Sequence, residues 1–125
     1  MGNRKIILAI DDNVFQLQLY REMLVPEYDL RAVKAASEAL SFLNMKKADL
    51  ILLDIEMPKT SGFEFLNDIK KIPGNTNVPV IIVSGNSGTE FFDQAGKSGA
   101  AGVLTKPVIR NVLISTIEKA LAAEV

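Results

Sequence analysis

Five short aliphatic runs constrain what this chain can fold into more than any other feature. They are Lys5 to Ile10, Leu30 to Val33, Leu50 to Leu53, Val78 to Val83 and Ala101 to Leu104. Each is rich in Ile, Val and Leu and does not alternate with polar residues, the pattern of strands buried on both faces, as in a parallel sheet. The segments between them read as helices. Ala36, Ala39, Leu40 and Leu43 follow i, i+3, i+4, i+7 spacing, and Ile109, Leu113, Thr116, Ile117 and Ala120 form a similar stripe in the last segment. Ser61 with Glu64, and Ser87 with Glu90, have capping-box spacing for two helix starts. Pro107 suits the first turn of the final helix, and Pro73-Gly74 ends the third. The order is (βα)₅ with short connections, and right-handed crossovers then put helices on both sides of one doubly wound parallel sheet. One domain over residues 1–125 accounts for every element, with no repeat, linker or low-complexity tract.

Composition narrows the chemistry. The 125 residues contain no cysteine, which removes disulfide, thiol-nucleophile and cysteine–zinc chemistry. They contain no histidine either, so no imidazole base, ligand or phosphohistidine can come from this chain. The formal charge is −1, and the basic residues are scattered. That excludes a nucleic-acid stripe or a basic membrane face. No apolar run reaches membrane-spanning length, and the polar, basic N-terminus lacks the apolar stretch of a signal peptide, which makes the cytoplasm the expected compartment.

In a doubly wound sheet, ligands bind beyond the carboxyl ends of the strands, near the switch in strand order. Asp11 and Asp12 follow the first run, Asp54 the third, Ser84 and Gly85 the fourth, and Thr105, Lys106 and Pro107 the fifth. Only the second, an expected edge strand, ends without a reactive group. Each residue has an ordinary explanation by itself: Asp11-Asp12 as a turn before a helix near Asn13, Asp54 as a polar strand end, Ser84 as a loop residue, Lys106 as a solvated charge. All four explanations would have to hold together at four strand ends of one sheet, which favours a site. The residue types also suit one chemistry. Clustered carboxylates raise one another's pKa unless a cation neutralises them, and Mg²⁺ takes a few carboxylates while keeping water and phosphate oxygens as other ligands. Asp54 is then a carboxylate nucleophile toward phosphorus, with Lys106 and the Ser84 hydroxyl holding phosphoryl oxygens.

On these residues the chain resembles the response-regulator receiver family. The resemblance rests on Asp11-Asp12, Leu53-Asp54 through Met57-Pro58 with Ser61-Gly62 beyond, Ser84, Gly99-Ala100 and Lys106-Pro107, and it covers essentially the whole chain. It implies a flavodoxin-like sheet of order 2-1-3-4-5 and a phospho-accepting switch of a two-component or phosphorelay system. It further implies that Asp54 is the acceptor and that Asp12, Asp54 and the backbone carbonyl of Glu56 ligate Mg²⁺, with Asp11 acting through a metal-bound water. The implied donor is a phosphohistidine on a sensor histidine kinase or histidine phosphotransfer protein, which agrees with the absence of histidine here. The implied output is binding of a downstream protein through the face of the fourth helix, fifth strand and fifth helix, where Phe91, Phe92, Lys97 and Arg110 fall. Two adjacent helical phenylalanines cannot both face fully inward, so one is expected at the surface.

Three positions depart from the family pattern. Val103 stands where many members carry an aromatic residue, and a branched aliphatic cannot make the same rotamer swing. Val108 replaces a common Phe after the Lys-Pro pair, a packing change. Glu56 brings a carboxylate to the site mouth, where it is expected to contact Lys106 or an attacking water. Other functions fit less well. A receiver-like module that is never phosphorylated has little reason to hold all five of Asp11, Asp12, Asp54, Ser84 and Lys106. A haloacid-dehalogenase-like hydrolase carries a second Asp two positions after its nucleophile, where this chain has Glu56. A flavin or nucleotide module needs a Gly- or hydroxyl-rich phosphate loop after the first strand, where this chain has two acids.

Overall fold

The computed structural model describes residues 4–58 and 61–123. Five strands alternate with five helices: β1 (Ile6–Ile10), α1 (Val14–Leu24), β2 (Asp29–Val33), α2 (Ala36–Met45), β3 (Leu50–Asp54), α3 (Gly62–Lys71), β4 (Val80–Ser84), α4 (Thr89–Lys97), β5 (Gly102–Thr105) and α5 (Arg110–Ala122). The strands form one parallel sheet in the order β2-β1-β3-β4-β5. β3 and β4, in the middle of the sheet, are buried at every position, which is why their sequences run aliphatic without a break. β2 lies at an edge, as its mixed composition implies.

The sheet separates two apolar cores. One face packs Leu8, Ile10, Ile51, Leu53 and Ile82 under α2, α3 and α4, through Ala39, Leu43, Phe65, Leu66, Ile69 and Phe91. The other packs Ile7, Ala9, Leu52 and Val83 under α1 and α5, through Tyr20, Leu24, Leu113 and Ile117. Alternate residues of one strand therefore stabilise opposite layers. Pro79 precedes β4 and accepts a hydrogen bond from Ile51 N–H at 3.0 Å, but it has no N–H to extend the ladder, so the strand starts later than its aliphatic run.

Several local expectations change. Ser61 occupies the N-cap of α3 but makes no side-chain cap hydrogen bond. The cap of α4 is Gly88, with Ser87 outside the helix, and Asn86 is the side chain that turns the chain there, its Oδ1 accepting from Gly88 N–H at 2.8 Å. Pro107 is not in the first turn of α5. The Lys106–Pro107 peptide is cis, the backbone is extended at the N-cap Ile109, and Val108 turns into the core. Ile109 consequently leaves the predicted stripe and stands 62% exposed. Gly62 has a steric reason: a Cβ there would collide with the side chain and carbonyl of Ile55, so only glycine lets α3 begin against the end of β3.

Candidate active site at the carboxyl ends of the strands

β1, β3, β4 and β5 end on the same edge of the sheet, and their terminal residues converge. Asp11 is fully buried at the end of β1, where its N–H donates to Val33 carbonyl at 3.2 Å. Its Oδ1 accepts from Asn13 N–H at 2.9 Å, which turns the chain into α1. Asn13 then caps that helix, its Oδ1 accepting from Phe15 N–H at 2.9 Å and Gln16 N–H at 3.3 Å. The helix-cap role that a sequence reading can assign to the acidic pair thus belongs to Asn13, leaving the acids for something else. Asp12 beside it is exposed.

Asp54 ends β3 and is buried. Its Oδ1 accepts from Glu56 N–H at 3.0 Å, and its Oδ2 lies 3.6 Å from Lys106 Nζ. The same ammonium lies 3.2 Å from Asp11 Oδ2, an oxygen with no hydrogen-bond donor of its own among the described residues. Lys106 reaches this place because its backbone N–H donates to Ser84 carbonyl at 2.8 Å, which continues the β4–β5 pairing past the last ladder residue. Ligand oxygens of Asp11, Asp12 and Asp54 lie within 4.8 Å of one another. One lysine cannot neutralise three carboxylates, so the set carries excess negative charge in a largely buried place. Such a site is stabilised by a divalent cation.

The titration behaviour follows from this crowding. Burial is the main reason that the Asp54 pKa is pushed up to about 6; Asp11 adds to it, while Glu56 N–H and Lys106 oppose it. Burial alone disfavours the Lys106 ammonium, but the charges of Asp11 and Asp54 outweigh that, and its pKa ends above the ordinary lysine value. Tyr20, buried under the site on α1, is pushed upward by burial and then by the charges of Asp11 and Asp54, which keeps its hydroxyl neutral. Nothing in the spacing of the acidic pair points to Tyr20; only the helix turn that brings it below the sheet edge does.

Ser84 is buried at the end of β4. Its Oγ accepts from Asn86 N–H at 2.9 Å, which folds the following loop back onto the strand end. Glu56 does not contact Lys106. Its Oε1 accepts from Gly85 N–H at 3.0 Å, because the lysine is drawn to the two buried acids while the exposed Glu56 faces the end of β4. All the predicted site residues therefore lie on one edge of the sheet, with Asp11, Asp54 and Lys106 in direct contact and Asp12, Ser84 and Glu56 around them.

The model of the response regulator receiver domain matches residues 7–118. The chain belongs to the response regulator receiver family. Accepting a phosphoryl group as a switch is the general function of that family, whose members bind Mg²⁺ at an acidic pocket and interact with histidine kinases or phosphotransfer proteins and with downstream effectors. The chain is 34% identical over 111 residues to a probable cyclic di-GMP phosphodiesterase of Vibrio cholerae, covering 89% of this chain and 25% of that protein. It is also 34% identical over 131 residues to protein-glutamate methylesterase/protein-glutamine glutaminase 1 of Pseudomonas savastanoi pv. phaseolicola, covering 98% of this chain and 36% of that protein. The chain thus spans about a quarter to a third of the length of these curated relatives. A CheY-like receiver domain from Methanospirillum hungatei JF-1 has the same fold, with a TM-score of 0.87 at 27% identity, covering 98% of this chain and 97% of that one. Among the described residues, no helix is long and apolar enough to cross a membrane.

Proposed function

We propose that residues 1–125 form a receiver domain in which Asp54 accepts the phosphoryl group. The supporting observation is Lys106 bridging Asp11 and Asp54, at 3.2 and 3.6 Å, inside a cluster of three carboxylates. A carboxylate oxygen of Asp54 forms the new bond to phosphorus as the bond from phosphorus to an imidazole nitrogen of the donor breaks, and the electron pair returns to that nitrogen. Lys106 and the Ser84 hydroxyl hold phosphoryl oxygens and stabilise the charge spread over them. Asp12, Asp54 and the backbone carbonyl of Glu56 would hold Mg²⁺, with Asp11 acting through water, and the ion would neutralise the acids and the phosphoryl oxygens. Because the chain has no histidine, the donor is a second protein, a sensor histidine kinase or histidine phosphotransfer protein, and the cytoplasm is where these meet. Val14 and Phe15 at the start of α1 are exposed beside the site, Phe15 by 78%, and offer that donor an apolar rim.

The output is a change in binding of a downstream protein at the face of α4, β5 and α5, without nucleic acid or membrane as partner. Phe91 is buried there while Phe92 is exposed, and Ile109 and Val112 stand exposed beside a shallow cleft of about 250 Å³ that Val103 also lines. The decisive experiment is the intact mass after incubation with Mg²⁺ and a small acyl phosphate. Addition of one phosphoryl group that requires the metal and disappears in Asp54→Asn is the expected result. No addition to folded, Mg²⁺-bound protein would instead favour a binding module that is never phosphorylated.

A further inference from the structure

Glu56 is the residue through which the acceptor and the loop after β4 touch. Its backbone N–H donates to Asp54 Oδ1, and its side-chain Oε1 accepts from Gly85 N–H, both at 3.0 Å. It is exposed, and among the described residues it has no cationic partner. Among the described residues, its carboxylate is therefore held by a backbone amide. Asp54 stands opposite Val83 in the parallel register, so Ser84 and Gly85 are the next groups beyond it on the adjoining strand. In this arrangement both are engaged: the Gly85 amide by Glu56, and the Ser84 oxygen by Asn86 N–H at 2.9 Å. A Cβ at Gly85 would lie 3.7 Å from Glu56 Oε1, ordinary contact distance, so the approach of these two residues is not forced by the glycine.

We propose that Glu56 is a positioning residue that locks this loop while Asp54 is unmodified and releases it upon phosphorylation. A phosphoryl group brings roughly one to two negative charges and three strong acceptor oxygens beside a carboxylate already bonded to the neighbouring amide. Mg²⁺ would offset part of this charge, and what remains repels the carboxylate while the phosphoryl oxygens compete with it for the amide, so the Glu56 side chain leaves. Gly85 N–H then donates to a phosphoryl oxygen, and the Ser84–Gly88 segment shifts toward Asp54. The trigger is electrostatic and needs no aromatic rotamer, which suits a chain with Val103 in β5. The lock also opposes entry of the phosphoryl group, because one amide donor must be freed first.

The release step rests on Asp54 being the acceptor; the lock does not. Glu56→Ala removes the acceptor oxygen, and Glu56→Gln keeps an oxygen but no charge. In metal-free protein, the Gly85 amide in ¹H–¹⁵N spectra should shift and exchange about tenfold faster in Glu56→Ala, with Glu56→Gln restoring the slow exchange. With Mg²⁺ and beryllofluoride as phosphoryl mimic, the Gly85 signals of wild type and Glu56→Ala should coincide. The rate of mass addition from acetyl phosphate should rise about tenfold in Glu56→Ala. A Gly85 amide indifferent to Glu56→Ala overturns the lock, and equal addition rates overturn its opposition to phosphorylation. Beryllofluoride signals that stay as different as the metal-free ones overturn the release. Failure of both proteins to add a phosphoryl group counts against Asp54 itself and leaves the metal-free amide data to judge the lock.

Discussion

The two sides of the site are built differently. Asp11 and Asp54 end interior strands, are buried, and are held by backbone N–H donors and one shared ammonium. Residues 85–90 across from them are all exposed, and among the described residues few side-chain hydrogen bonds hold the turn after β4: Gly85 to Glu56, Asn86 to Ser84, and Gly88 to Asn86. Where charge must be precisely placed before reaction, the chain uses strand ends that packing prevents from moving. Where the molecule must respond, it uses a loop whose arrangement a few exchangeable hydrogen bonds decide. Chemistry and relay are thus separated within one strand-to-strand distance.

The comparison is broken most directly on the rigid side. Asp54→Asn should abolish phosphoryl addition in the mass assay, the largest effect expected. Lys106→Ala leaves Asp11 and Asp54 without their cation, and should slow addition by about a hundredfold, as loss of a preorganised charge-stabilising group does. Its stopped-flow rate from acetyl phosphate at saturating Mg²⁺ is the check. Ser84→Ala should cost less, about tenfold, because the hydroxyl is a neutral donor and one of several to the phosphoryl oxygens.

Stability gives a smaller but signed test. The Asp54 pKa is raised in the fold to about 6, so the contribution of this group to stability is fully present below the ordinary carboxylate range and is lost as pH rises through about 6. Between pH 4 and pH 7 the metal-free protein should lose up to about 3 kcal/mol from this group. Metal-free Asp54→Asn should not, so the gap between the two in urea melts should open across that interval and close when Mg²⁺ is added. A gap independent of pH would mean that burial and the Asp11 charge do not govern this carboxyl. Gly62→Ala, which drives a methyl into Ile55, should cost about 1–3 kcal/mol by overpacking, read as a lower urea midpoint. Smallest is Phe15→Ala: it should slow transfer from a phosphohistidine protein a fewfold and leave the acetyl phosphate rate unchanged, since a small donor does not need the apolar rim.

Much of this is legible in the residues. Uninterrupted Ile, Val and Leu runs can be satisfied only by strands covered on both faces, so the (βα)₅ order and the placing of Asp11, Asp54, Ser84 and Lys106 at strand ends follow from periodicity and from the rule for doubly wound sheets. Local signals are weaker guides. Ser87 and Glu90 have capping-box spacing, yet Asn86 makes the turn, because the backbone leaving β4 bends back on Ser84 before the helix starts. Ile109 fits a helical stripe, yet with Val108 buried the helix begins only after it, at Arg110. A local turn in the first place and a tertiary contact in the second outweigh a preference worth about 1 kcal/mol.

Side-chain partnership is the other thing that spacing does not carry. Glu56 is visible as an acid two residues past Asp54, but whether it turns to Lys106 or to Gly85 depends on which groups compete for the ammonium, and two buried carboxylates win that competition. By itself, then, the sequence determines the layer architecture, the sheet edge where the reactive groups gather, and the absence of any imidazole, since these depend on residue type and period alone. Only the tertiary structure decides that Lys106 joins Asp11 to Asp54 and that Glu56 holds the loop after β4, since these depend on distances across strands far apart in the chain.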